Sequence, residues 1–384
     1  MKNKSKVKVL VLGGHIQGLG IVRVLGDRGL NIAVIDETSF NLARYSRYCN
    51  EFLRCSNQQV EDFLYKLRLD PRFENCVIFP TNDFYVELLA KNKKKLVPNL
   101  ICAVEDWERI DVFFSKKKSY QLAKELSIDI AKTISIESID EITNIDIQFP
   151  CIIKPSIMHT FYKKFKKKVI ICHSKDELKQ KMIDVTSSFS LRDLLIQEII
   201  QGDNSCQFSV GVFAIKGEII RNISANRARQ HPIDFGNATT MAITCNEPEL
   251  IEIAKKIINE TKYTGLCEIE FKKDSKSGKF MFLEVNSRTW KWHSICEAAN
   301  VELLNPYYEY LTSGKSNFEV QVQRDAYFRH DLTDLPMRVK MRLNNLTVIN
   351  SPKGFNKQHA VWSKKDFLPW FVEKVLVPYF VFKR

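Results

Sequence analysis

One pair of alternating segments constrains this chain more than anything else in it. Residues 267–271 read Cys-Glu-Ile-Glu-Phe, and residues 282–288 read Phe-Leu-Glu-Val-Asn-Ser-Arg. Between them lies Asp274-Ser275-Lys276-Ser277-Gly278, a turn composition. Side chains of a strand alternate between faces, so the spacing predicts a hairpin of strands 267–272 and 279–285. Glu268 and Glu270 then share a face, as do Glu284, Asn286 and Arg288. Antiparallel pairing brings Glu270, Glu284 and Asn286 together. Two carboxylates and an amide oxygen form a hard, all-oxygen site suited to Mg²⁺ or Mn²⁺ carrying nucleotide phosphates. Arg288 beside it is suited to stabilising a charged transition state. From these residues alone, the solvent face of an ordinary hairpin stays open as a reading.

The rest of the chain is long enough for such a site to be enclosed. Its 384 residues predict two or three domains, and 45% apolar content supplies a core. The formal charge of +13 points to anionic partners. Nucleic acid is not among those expected, because no nucleic-acid-binding motif is present. The ten cysteines sit in apolar runs with no CxxC pair, the pattern of reduced thiols in a cytoplasmic protein. No uncharged apolar run is long enough to span a membrane, and Val7–Leu12 reads as a first buried strand rather than a leader.

Along the chain, a strand at 7–12, glycines 13, 14, 18 and 20, a helix at 21–28 and a strand at 31–35 ending on Asp36 form a βαβ unit. The glycines do not follow strict GxGxxG spacing, so tight strand-to-helix packing is expected rather than dinucleotide binding. A third strand, 77–79, ends at Pro80-Thr81-Asn82-Asp83, polar residues at the carboxyl edge of a parallel sheet. From about Asp111 the pattern becomes mixed. Helices are expected at 115–126, 176–185 and 249–261, and strands at 149–155, 169–172 and 194–197. A hairpin of 206–214 and 218–224 turns at Lys216-Gly217, leaving Asn226–Pro232 as a loop.

Glu284-Val285-Asn286-Ser287-Arg288, with Glu270 upstream, resembles the ATP-grasp superfamily. It is most similar to the carbamoyl-phosphate synthetase large subunit and to D-aspartate ligase-like carboxylate–amine ligases. Lys116 ahead of Tyr120-Gln121-Leu122-Ala123, Lys154 in Ile152-Ile153-Lys154-Pro155-Ser156, and the hinge Leu195–Gly202 carry the same resemblance. Asn226–Pro232, Phe235-Gly236 and Arg288–His293 resemble the D-aspartate ligase branch. The resemblance implies an α/β fold: a Rossmann-like domain over 1–112, then an ATP-grasp domain over 113–317 with a lid at about 133–198. A C-terminal extension over 318–384 ends in an amphipathic helix.

The implied activity is ATP-dependent joining of a carboxylate to an amine through an acyl phosphate, releasing ADP and phosphate. An amino acid or a cell-envelope precursor is the expected substrate class. ATP and Mg²⁺ or Mn²⁺ are the implied cofactors, with Glu270, Glu284 and Asn286 as metal ligands. Lys116 and Lys154 are implied triphosphate contacts, and Gln197, Glu198 and Ile200 adenine contacts. The ribose position aligns with Ser205, two residues after the nearest acid, Asp203. Arg288, Arg227, Arg229 and Lys168 are implied catalytic groups, the arginines 227 and 229 gripping the carboxylate. His231 and His293 are read as structural. Residues 157–165 contain no glycine where the family has a glycine-rich phosphate loop. A non-catalytic ATP-binding regulatory protein therefore remains the alternative.

At the C-terminus, Phe367, Phe371, Val375 and Tyr379 recur every four residues beside Leu368, Val372, Leu376 and Phe380. Lys364, Lys365, Lys383 and Arg384 flank this stripe. Two readings stay open: an interfacial helix at the inner face of a membrane, or a helix docked on the core or on a second subunit of a homodimer.

Overall fold

Runs of Val, Ile and Leu without polar alternation belong to strands covered on both faces, and they build the first sheet. The computed structural model describes residues 6–156, 161, 164–165, 167–233, 235–236 and 238–378. Its first 114 residues contain strands β1 (Val9–Leu12), β2 (Ile32–Asp36), β3 (Cys49–Arg54), β4 (Cys76–Pro80) and β5 (Leu100–Cys102). Every adjacent pair is parallel, in the order β3-β2-β1-β4-β5. Helices α1 (Ile16–Gly26), α2 (Val60–Leu67), α3 (Asp83–Leu96) and α4 (Trp107–Phe114) accompany it. This Rossmann-like sheet has two strands that sequence reading missed. β3 is a half-exposed edge strand and β5 has only three residues, so neither carries a clear apolar signal.

The glycine-rich turn after β1 is filled by the chain itself. A Cβ on Gly18 would lie 2.0 Å from the Gly13 carbonyl oxygen, and one on Gly20 2.5 Å from the His293 ring. Asp36 accepts from the Gly14 amide at 2.6 Å. These glycines serve close packing, as the irregular spacing predicts.

Helix α5 (Lys116–Glu125) is capped by Ser115, and the Lys116 amide donates to the Ser156 carbonyl at 3.1 Å. That bond ties the start of α5 to the next unit. This unit is an antiparallel sheet of order β6-β9-β7-β8, from β6 (Thr133–Ile134), β7 (Cys151–Pro155), β8 (Ile170–Cys172) and β9 (Leu194–Glu198). Helix α6 (Lys175–Thr186) closes its small core over Ile153, Leu178 and Met182. Of the glycine-free stretch, residues 157–160, 162 and 163 lie outside the described residues, as does Lys166.

The third sheet has seven strands in the order β14-β13-β10-β11-β12-β15-β16. They are β10 (Gln207–Ile215), β11 (Glu218–His231), β12 (Ala238–Thr244), β13 (Gly265–Lys273), β14 (Phe280–Asn286), β15 (Ala326–Arg329) and β16 (Asn356–His359). β11 runs through to His231, so residues 226–231 form strand where the sequence suggested loop. Helices α7 (Pro248–Glu260), α8 (Ile295–Ala298), α9 (Leu304–Ser313), α10 (Asp331–Leu343) and α11 (Leu368–Val375) complete the chain. Because β15 pairs with β12, residues beyond 317 are built into this sheet. Helix α11 docks on the first unit: Arg23 Nε donates to Asp366 Oδ2 at 2.8 Å, and the Arg47 amide to Oδ1 at 2.8 Å. Tyr379, Phe380, Lys383 and Arg384 of the predicted stripe lie outside the described residues. Among those described, no helix is long and apolar enough to cross a membrane.

Candidate functional site

Hairpin register assembles the acidic centre. Glu270 pairs with Glu284, and Glu268 with Asn286, across β13 and β14. Lys116 Nζ lies 2.6 Å from Glu284 Oε2. Burial works against the charge of Lys116, but the Glu284 carboxylate outweighs it and raises the lysine pKa. The same lysine holds the Glu284 carboxyl well below the usual carboxylate range. Arg227, on β11, forms an ion pair with Glu270 and donates through Nε to Thr239 Oγ1 at 2.9 Å.

Asn286 Nδ2 donates to Glu270 Oε1 at 2.9 Å and to Glu268 Oε2 at 3.3 Å. Both amide hydrogens are thereby turned toward carboxylates, and Oδ1 faces the other way, accepting from Arg288 Nη2 at 3.1 Å. Arg288 Nε also donates to Asp83 Oδ1 at 2.6 Å, so the first turn of α3 reaches the site from the first sheet.

The other lysines approach from the four-stranded sheet. Lys154 on β7 is buried, donates to Gln197 Oε1 at 2.6 Å and contacts the Tyr120 hydroxyl. Gln197 Nε2 in turn donates to Thr133 Oγ1 at 2.6 Å. Burial lowers the Lys154 pKa, partly offset by Tyr120. Burial also lowers that of Lys168, against the pull of Glu284 and Glu270, which places Lys168 within electrostatic reach of both acids.

The hinge residues are differently engaged. Glu198 Oε1 accepts from the Gln148 amide at 3.1 Å, and the Ile200 carbonyl accepts from Lys272 Nζ at 2.8 Å. Asp203 Oδ1 caps its own turn, accepting from the Ser205 amide at 2.8 Å. Arg229 departs most from expectation. It is buried against Asp334 of α10, with Nε and Nη2 donating at 2.7 and 2.8 Å, and it also contacts the Ile349 carbonyl. The cause is a bulge: three residues of β11, from Asn226 to Arg229, span two of β12, from Ile243 to Met241. The extra residue breaks the two-residue repeat that would have put both arginines on one face.

Residues 115–304 match the family of the carbamoyl-phosphate synthase L chain, ATP binding domain. Over these residues the chain carries an ATP-grasp domain. It is 20% identical to a D-aspartate ligase from Enterococcus faecium over 237 residues, 59% of this chain and 56% of that protein. The match thus spans little more than half the length of that relative. Among solved structures it is similar in fold to the biotin carboxylase domain dimer of the Hydrogenobacter thermophilus 2-oxoglutarate carboxylase, crystallised with MgADP, ADP and bicarbonate. That likeness has TM-score 0.66 and 16% identity, over 85% of this chain and 74% of the other. Similarity to N5-carboxyaminoimidazole synthetase from Staphylococcus aureus has TM-score 0.64 and 16% identity, over 85% and 82% of the two chains.

The donor set of this ATP-grasp chain suits a hard divalent ion. Among the described residues no three His, Cys, Asp or Glu side chains converge as a complete cage. Glu270, Glu284 and, once released by Arg288, Asn286 Oδ1 would instead supply a few oxygens, as Mg²⁺ completed by water and phosphate requires. Sequence reasoning missed four participants. Glu268 shares a face with Glu270, a signal that was legible; it is buried, accepts from Trp292 Nε1 at 2.8 Å, and burial beside Glu270 pushes its pKa up to about 7. Trp292 and Tyr120 lie in segments that carry the resemblance and Asp83 at the polar sheet edge, but none of the three stood out as a site residue.

Proposed function

We propose that this ATP-grasp protein is an ATP- and Mg²⁺-dependent carboxylate–amine ligase working through an acyl phosphate. The observation that carries the reading is the opposition of Glu270 and Glu284 in register, ringed by Lys116, Arg227 and Arg288. Glu270, Glu284 and Asn286 would hold Mg²⁺, which when bound neutralises β- and γ-phosphate charge. Lys116 and Lys154 donate to triphosphate oxygens. Each already rests on an acceptor of this chain, Glu284 or Gln197, so each can exchange that partner for phosphate without an uncompensated buried charge.

A substrate carboxylate oxygen attacks the γ-phosphorus as the bond to the bridging oxygen breaks, and ADP departs. Arg288 and Lys168 stabilise the charge on the transferring group. The amine nitrogen then attacks the acyl carbon, phosphate leaves with the C–O electron pair, and the nitrogen loses a proton. Water must be kept out, because it would hydrolyse the acyl phosphate. Similarity to a D-aspartate ligase supports an amino acid or cell-envelope precursor as substrate. The reduced, mostly buried cysteines support a cytoplasmic setting, and the dimeric biotin carboxylase relative supports a homodimer.

The test is nucleotide analysis with a panel of amino acids and amine acceptors. Carboxylate-dependent release of ADP and phosphate, with an amide product by mass spectrometry, is expected. AMP and pyrophosphate would overturn the reaction class, and ATP binding without turnover would favour a regulatory protein.

A further inference from the structure

Helix α11 is turned inside out. Its buried positions are Pro369 and Glu373, while Phe367, Phe371 and Val375 are 59%, 54% and 61% exposed. A helix that serves only to cover a core faces its apolar stripe inward. Here Glu373 goes inward because its Oε1 lies 2.7 Å from His330 Nε2, at the start of α10. The orientation is held firmly: the buried Asp366 carboxylate accepts from Arg23, from Ser46 Oγ at 2.8 Å and from the Arg47 amide. Trp362, 41% exposed, stands edge-on to Trp370 at 5.2 Å and widens the same region. The phenylalanines are therefore displayed from a fixed platform.

Charge around this face is predominantly positive, with Asp27 paired to Lys365 at 3.3 Å. Asp366 and Glu373 both point inward, and the second oxygen of Glu373 lies 3.8 Å from Lys374 Nζ. Lys364, Lys374 and Arg47 are exposed. Residues 318–384 hold twelve Lys or Arg against six Asp or Glu, an excess of six within a chain total of +13. Exposed aromatics surrounded by cations complement a surface that is anionic outside and apolar beneath.

We propose that this face docks on an anionic lipid surface. Phe367, Phe371 and Val375 occupy the boundary between headgroups and acyl chains, and Lys364, Lys374 and Arg47 pair with lipid phosphates. A second copy of the chain fits less well, because a two-fold contact sets the cationic rim against its own equivalent. The inference is independent of the ligase reading, since none of these residues lies in the acidic centre.

The experiment is sedimentation of the full chain with vesicles of phosphatidylglycerol and phosphatidylcholine, against phosphatidylcholine alone. Binding to the anionic vesicles, released by high salt, is expected. The double variant F367S/F371S and the charge reversal K364E/K374E should each weaken it at least tenfold. Unchanged melting temperature serves as the fold control, and the charge reversal tests the idea separately should the phenylalanine variant unfold. Failure to sediment at low salt, equal binding to neutral vesicles, or unchanged binding in the charge-reversed variant would overturn it. A shift from dimer to monomer in the phenylalanine variant, without lipid binding by the parent, would assign the face to a second copy.

Discussion

Lys116 Nζ sits 2.6 Å from Glu284 Oε2, joining the first residue of α5 to an edge strand of the seven-stranded sheet. The lysine side chain is 13% exposed and the glutamate 34%. This is not the open hairpin face that strand alternation alone suggests, and the acid has a structural partner as well as a proposed metal. Changing Glu284→Gln is expected to abolish turnover and Mn²⁺ binding. It also deprives the buried Lys116 of its anionic partner, at a cost of about 1–3 kcal/mol. Manganese binding followed by electron paramagnetic resonance checks the first point and denaturant titration the second; undiminished activity would remove Glu284 from the metal site.

The two arginines of β11 should separate cleanly. Arg229→Ala leaves Asp334 buried without its partner and is expected to destabilise the fold by about 3–5 kcal/mol. Arg227→Lys keeps the charge against Glu270 but loses the planar fork, so turnover should fall while the melting temperature moves little. Paired thermal melts and rate measurements decide it. A stable Arg229→Ala protein with raised carboxylate KM would put Arg229 back in the substrate site.

Glu268 is a positioning residue for Asn286 in this arrangement. It takes one amide hydrogen of Asn286 and is itself held by Trp292. Glu268→Gln should let the Asn286 amide rotate and weaken Mn²⁺ affinity about 10- to 100-fold. Calorimetric titration of Mn²⁺ into the nucleotide-bound protein is the measurement. Unchanged affinity would leave Glu268 with a packing role only.

His293 carries a pH signature. It lies against Gly20 of α1, its Nδ1 is 2.6 Å from the Trp290 carbonyl oxygen, and burial holds its pKa down at about 4 from an ordinary 6.5. The unfolded chain thus binds this proton more readily than the folded one. The stability it contributes is complete above about pH 6.5 and is lost as pH falls toward 4, up to about 3 kcal/mol in all. Melting temperatures between pH 7.5 and 4.5 should fall less steeply in His293→Gln. Parallel curves would mean that the ring binds its proton equally well in the folded and unfolded chain.

How far each feature could be read from the chain follows from how local its cause is. Glu270, Glu284 and Asn286 meet because a period of two and a turn composition act within some twenty residues, and register follows from them. Lys154 was legible only through the family resemblance, since a lysine ending an apolar run is by itself most often a surface residue. Strand β3 was not legible, since a half-exposed edge strand need not alternate.

The sequence by itself determined the ATP-grasp signature, the order of strands and helices around the acidic hairpin, and the excess of positive charge. Tertiary structure decided which cation meets which acid. Asp83 and Arg288 are 205 residues apart, and Arg229 and Asp334 are 105 apart. At a bulge in β11, Arg229 turns to Asp334 while Arg227 meets Glu270. Whether the apolar stripe of α11 faces in or out rests likewise on Asp366 reaching Arg23 and Glu373 reaching His330. Periodicity states only that a helix has two faces; which one is buried depends on the polar partners that the rest of the fold brings to it.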